Sequence, residues 1–243
     1  GPQVTSALIA HSIPAVSLTG RSLIKAETLK QLVDGTPVDL GFVGRITAVD
    51  VDHIVSFSIP VDEKIEAIMV IPPSSDLIGK KCTIVVHDLV KYGMEEWSDL
   101  PFQEWFDSKC QHPPVHDSFN YWLSWRDTLS ALIGVIFSKD PLPKKLDICG
   151  RRGMTISETF EEFKTLYHRT MRVLDSGMDA QDLEKKASVS FPIIGRSSRP
   201  NLNPLHESLL AAGRDDGWRP AYGIGVILME WLAGKLEAQE GVL

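Results

Sequence analysis

The chain has 243 residues, 43% hydrophobic and 23% charged, with 25 Lys and Arg against 32 Asp and Glu for a formal net charge of −7. That length buries one large core or two small ones, and the composition excludes a disordered chain. The acidic total argues against a general nucleic-acid or anionic-membrane coat and leaves only local basic patches for such a role.

Three cysteines, Cys82, Cys110 and Cys149, are odd in number and widely spaced. No disulfide framework is expected from them, which points to a reducing, intracellular setting, cytoplasmic or nuclear. No leader pattern is visible, and the longest apolar runs, residues 131–137 and 224–232, are too short to span a membrane. Gly1-Pro2 reads as a cleavage remnant, so residue 3 is expected to open the native chain.

Residues 7–13 are apolar, and residues 15–19 read as a strand. Ser22 is placed to cap a helix running to Val33, with Leu23, Ala26, Leu29 and Leu32 on its stripe; Gly35 ends it and Pro37 prevents resumption. Residues 42–89 carry the strongest β signal. Apolar and polar residues alternate over 42–50 and 54–61, which predicts strands with one face buried. Turns are expected at residues 50–53 and 61–64, and further strands at 65–71 and 82–86. Pro72 and Pro73 open a loop between those last two. The pattern predicts a sequential antiparallel meander, with closure into an oligonucleotide-binding type of barrel, a sandwich or an open sheet as its versions.

Helices follow. Trp97, Phe102, Trp105 and Phe106 alternate with acids in residues 94–107, predicting a short helix from near Ser98. Asp117 is placed to cap a long central helix to Phe137, with Trp122, Trp125, Leu129, Leu132, Ile133 and Ile136 at helical spacing. Thr155 and Glu158 form a capping box for the next helix, whose stripe is Ile156, Phe160, Phe163, Tyr167, Met171 and Leu174 and whose end is Gly177. Residues 188–194 read as an edge strand. Asn203-Pro204 opens a short helix that stops at Gly213, and Pro220 is placed as the first residue of a final helix to Leu236. The expected fold class is α+β, a mostly antiparallel N-terminal sheet packed by long helices from the C-terminal half. Residues 3–243 form one domain in this reading, or a β-rich half to residue 92 and a mainly helical half from 93.

No constellation of catalytic residues stands out. Cys110, His112 and His116, with Asp117 and His87 or Cys82, are metal-ligand types without an established spacing, and no metal or cofactor is expected. Gly223-Ile224-Gly225 and Gly150-Arg151-Arg152-Gly153 lack the remaining residues of a phosphate-binding loop. Asp50, Asp52, Asp215 and Asp216 are turn residues. Two surfaces are therefore the candidates. Trp97, Phe102, Glu104, Trp105 and Phe106 would make an acidic-aromatic partner-binding surface. Lys144, Lys145, Arg151, Arg152, Arg196 and Arg199 would make a basic face for nucleic acid or other anions.

These features favour a non-enzymatic assembly or adaptor protein that self-associates as a homo-oligomer or binds a protein partner, a viral structural or matrix-like role being one version. The alternatives are a nucleic-acid-binding protein using the basic face, and an enzyme whose site is gathered from residues far apart in sequence. An aspartate at Trp125 or Leu132 is expected to abolish the cooperative thermal transition, and a soluble, cooperatively melting pair of variants would contradict the central placement of that helix.

Overall fold

The computed structural model describes residues 5–10, 38–43, 53–57, 66–93, 97, 100–116, 118–136, 138, 140–176 and 199–240. In chain order the elements begin with β1 (Thr5–Ala10), β2 (Val38–Val43), β3 (His53–Phe57), β4 (Ala67–Ile71), β5 (Cys82–Val86) and β6 (Leu89–Val90). Then come α1 (Phe102–Asp107), β7 (Phe119–Asn120), β8 (Leu123–Ser124), α2 (Trp125–Ile136), β9 (Lys145–Ile148), β10 (Met154–Thr155), α3 (Ile156–Ser176), α4 (Asn203–Ala211) and α5 (Ile224–Glu240). The expected helix from Ser22, the expected strands at 15–19 and 188–194, and Asp117 lie outside the described residues.

Among the described residues six strands form one open sheet in the order β2-β1-β3-β4-β5-β9, with β2 and β9 at its edges. Every pairing in it is parallel, with Ile68 beside Cys82, Val70 beside Ile84, and Val85 beside Asp147. The expected antiparallel meander, and with it the α+β class and the barrel, is overturned. Among the described residues antiparallel pairing is confined to the two-residue β7–β10 bridge. The physical reason lies in burial. All five residues of β4 and all five of β5 are buried, so both faces are covered, as parallel strands require. Alternation in the surrounding residues carries no information about strand direction.

The return from β4 to β5 is short. A five-residue strand rises about 17 Å, and a helix covering that distance back takes about 11 residues before any turn is made. Residues 72–81 contain no helix. Ser75 N donates to Pro72 O (3.1 Å), Gly79 N to Thr83 Oγ1 (2.9 Å) and Lys81 N to Ala67 O (3.1 Å), which ties the return to the strands it joins. Leu77 packs on Met69, Ile71 and Val85, one face of the sheet. On the opposite face, Val55, Ile68, Val70, Ile84 and Val86 meet Leu129, Leu132 and Val135 of α2 and Leu205 and Leu209 of α4.

A second apolar cluster is almost wholly helical. Phe102, Trp105 and Phe106 of α1 pack with Phe160, Phe163 and Tyr167 of α3 and with Ile227, Leu228, Trp231 and Leu232 of α5. Phe102 stacks on Phe163 at 5.6 Å, and Trp105 meets Phe160 edge-on at 5.1 Å, the offset and edge geometries that ring quadrupoles favour.

The capping box opens α3 as expected: Glu158 N donates to Thr155 Oγ1 (3.1 Å) and Thr155 N to Glu158 Oε2 (2.8 Å). The helix expected from Asp117 starts eight residues later, because residues 119–120 and 123–124 pair as strands. Its cap is Ser124, whose Oγ accepts from Asp127 N at 2.9 Å. The final helix begins at Ile224 rather than Pro220.

Gly79 has no room for a side chain, since a Cβ there would run into the Cys82 carbonyl oxygen and lie 2.8 Å from Met69 N. Both neighbours are strand backbone, so they cannot give way. Gly79→Ala is expected to cost about 3 kcal/mol in urea unfolding; a loss below about 0.5 kcal/mol would contradict the close return.

Candidate functional site

In a parallel sheet all strands end on one edge, and ligands of such sheets bind outside the carboxyl ends where the strand order reverses. Here the order reverses at β1, which has β2 on one side and β3 on the other. The segments leaving β5 and β9 at that same edge build β6–β8, β7–β10 and the helical cluster above it.

Two aspartates hold these layers together. Asp88, at a left-handed φ of 49°, accepts from Tyr121 N (2.6 Å) and Asn120 Nδ2 (3.2 Å), while its carbonyl takes Leu123 N (3.0 Å). Asp127 is buried. Its carboxylate accepts from Ser124 Oγ (2.8 Å), Ala221 N (2.8 Å) and Tyr222 N (3.3 Å), tying the approach to α5 onto the first turn of α2. Arg214 Nη2 pins the same connection lower down through Ser130 O (2.6 Å) and Ser130 Oγ (2.7 Å).

The wall these bonds position is aromatic. Phe57, the last residue of β3, lies 6.5 Å from the Trp97 ring and 6.4 Å from the Trp125 ring. Lys91 Nζ stands 5.5 Å from the centroid of Trp125. Trp125 is 4% exposed, yet its Nε1 finds no acceptor among the described residues. Burial pushes the Lys91 ammonium below its ordinary pKa, and Glu230 partly restores it. Glu230 itself is engaged by Arg126 at 3.1 Å. Phe57, Trp97 and Trp125 belong to the sheet's apolar core, with one unused N–H donor, that of Trp125, and the half-buried Lys91 ammonium beside it.

Other polar groups do less. His87 Nε2 lies 2.8 Å from Asp147 Oδ1, and Lys145 Nζ lies 3.6 Å from the same oxygen; Asp147 pairs with Val85, on the sheet face away from α2. Burial pushes the Cys82 and Cys149 thiols up to about 12 and Cys110 up to about 11, so none is a thiolate nucleophile near neutrality. An open hollow in the connection from α4 to α5 is lined by Arg214, Asp216, Arg219 and Pro220, and its Arg219 and Asp216 pair with each other at 3.2 Å.

The residues singled out from sequence are dispersed. Trp97, Phe102, Trp105 and Phe106 are buried, Trp97 in the sheet cluster and the other three in the helical one; Glu104 is exposed. Lys144, Lys145, Arg151, Arg152 and Arg199 are exposed, and Arg196 is outside the described residues. Lys144 and Lys145 stand where β9 begins and Arg151 and Arg152 past its end, with Arg199 Nη1 reaching Arg151 O at 3.5 Å. Cys110 is buried while His112 and His116 are exposed, and among the described residues no three His, Cys, Asp or Glu side chains gather as metal ligands. Gly150 is a packing glycine: its N–H donates to Tyr121 O at 2.9 Å. No helix among the described residues is long and apolar enough to cross a membrane. Lys91, Asp88 and Asp127 escaped sequence reading because their partners lie tens of residues away.

No protein-family model matches the sequence, and no characterised protein matches it. Solved structures do match. The UDP-N-acetylglucosamine 4-epimerase of Bacillus cereus aligns over 95% of this chain and 99% of its own at 8% identity, with a TM-score of 0.53. The UDP-glucuronic acid 4-epimerase of Bacillus cereus, solved with NAD, aligns over 96% and 99% at 9% identity, with a TM-score of 0.52. The chain shares the fold of these epimerases. That Rossmann-like, parallel architecture again replaces the expected antiparallel one, and the non-enzymatic assembly or adaptor reading, with its structural and oligomerisation classes, is withdrawn, since the solved structures that share the fold are two epimerases.

The fold implies a dinucleotide, and the residues present do not fit one. A dinucleotide's pyrophosphate sits on a glycine-rich turn directly after the first strand. Here β1 ends at Ala10 and is followed by His11-Ser12-Ile13-Pro14-Ala15-Val16-Ser17-Leu18-Thr19, without a glycine.

Removing the Asp127 carboxylate leaves two backbone N–H groups without their acceptor. Asp127→Ala is expected to cost about 2–3 kcal/mol in urea unfolding, and a loss below about 0.5 kcal/mol would contradict its role as the tie between α2 and α5.

Proposed function

We propose that the protein is an enzyme of small-molecule metabolism whose substrate is a nucleotide-linked sugar, held at the carboxyl edge of the sheet against Phe57, Trp97, Trp125 and Lys91. The observation that carries this reading is the buried Trp125, whose indole N–H has no acceptor among the described residues and stands beside a half-buried ammonium. Buried donors are ordinarily satisfied, so an unused one beside a cation suits a ligand oxygen. The aromatic faces suit a base or the apolar face of a sugar ring, and the ammonium suits a diphosphate. The substrate class is supported by the two epimerases of the same fold. Three free, buried cysteines support an intracellular setting.

Calorimetry and tryptophan fluorescence with UDP-N-acetylglucosamine and UDP-glucuronic acid test the proposal. Saturable binding with a Kd below about 1 mM, the upper range of ordinary enzyme affinities, and a change in tryptophan emission are expected. Neither sugar nucleotide binding in that range would overturn it.

A further inference from the structure

We infer that His206 makes the connection between α4 and α5 a pH-sensitive latch: its neutral ring holds the Trp218 N–H, and a proton on the ring releases it. The latch does not depend on which ligand the protein takes.

Two features of the geometry lead here. His206, in α4, accepts through Nδ1 from Trp218 N at 3.1 Å. A ring nitrogen accepts only while it carries no proton, so this ring is neutral with its hydrogen on Nε2. Trp218 is 3% exposed, which leaves its amide little water to turn to. The second feature is the fit of the ring. Gly217 takes a left-handed φ of 57°, and a Cβ there would run into the imidazole, so the ring rests directly on the backbone of the connection.

In the charged ring both nitrogens are donors. Turning the ring over presents Nε2–H to the same amide and restores nothing. Protonation therefore sets donor against donor and leaves a buried N–H unpaired. The other anchors of the connection are Arg214 Nη2 on Ser130 O and Oγ, Trp218 Nε1 on Cys149 O at 3.1 Å, and Ala221 N and Tyr222 N on the Asp127 carboxylate. Among these side chains imidazole is the type whose charge ordinarily changes between about pH 5 and pH 8. The tie is present at high pH and is lost as pH falls. The charged groups on the two elements that meet here are Glu207 on α4 and Arg214, Asp215, Asp216 and Arg219 in the connection, of which Asp216 and Arg219 pair at 3.2 Å. The helix α2 and the strand β9, which α4 also touches, bring Arg126, Asp127, Lys145 and Asp147, each engaged by a partner of its own.

Amide hydrogen exchange and ring-nitrogen NMR of the full chain, from about pH 8 to about pH 5, test the latch. The protection of the Trp218 amide, corrected for the intrinsic pH dependence of exchange, is expected to fall about tenfold or more as the His206 ring takes its proton, while Val70 and Ile84 in the sheet keep theirs. The side-chain oxygen of His206→Asn takes the place of Nδ1 and does not titrate, so in that variant the protection is expected to change by less than about threefold over the same range. A Trp218 amide whose protection does not follow protonation of the His206 ring in the unaltered chain overturns the inference, whether or not the variant folds. An equal fall in His206→Asn overturns it as well, and so does an equal loss at Val70 and Ile84, which would mark general acid unfolding.

Discussion

A parallel strand buried on both faces needs cover on both, and β4 and β5 set that requirement. Their ten residues are all buried. One face is met by α2 and α4, which bring Leu129, Leu132, Leu205 and Leu209 to it. The other receives Leu77 from a return too short to hold a helix of the strand's length. Parallel direction also sends every strand's carboxyl end to one edge. The segments leaving β5 and β9 emerge side by side there, and their remaining apolar faces close on each other as the helical cluster of α1, α3 and α5.

Side-chain carboxylates bonded to distant backbone hold the two layers in register. Asp88 reaches across 33 residues to Tyr121 N, and Asp127 across 94 to Ala221 N. Each satisfies amides that sit between elements, where no strand or helix partner exists for them. Asp127 lies two residues after Trp125, so the bond that anchors α5 also fixes the aromatic wall. Among the described residues the buried indole N–H groups of Trp125 and Trp231 both lack an acceptor.

Local chemistry was legible in the sequence. The Thr155–Glu158 box, the short helix ending at Gly213 and the strand at 82–86 need only neighbours in the chain. The direction of the sheet was also written there, in the unbroken apolar run Ala67-Ile68-Met69-Val70-Ile71, which suits a strand buried on both faces rather than one. Alternation in residues 54–61 masked it. The start of α2 was hidden for another reason: Ser118 through Tyr121 is compatible with a helix, and only pairing with residues 89–90 and 154–155, remote in sequence, draws 119–124 into strands. The aromatics of residues 97–106 signalled burial as much as binding, and burial is where they are found. The grouping of Phe57, Lys91 and Trp125 could not have been read from spacing, since these residues share no period.

Everything above rests on strand direction in the centre of the sheet. Inter-strand backbone nuclear Overhauser effects in a deuterated, amide-protonated sample measure it directly. Ascending pairs, Ile68 with Cys82 and Val70 with Ile84, are predicted. Descending pairs, Ile68 with Ile84 and Val70 with Cys82, would restore an antiparallel hairpin and remove the common carboxyl edge on which the proposed site rests.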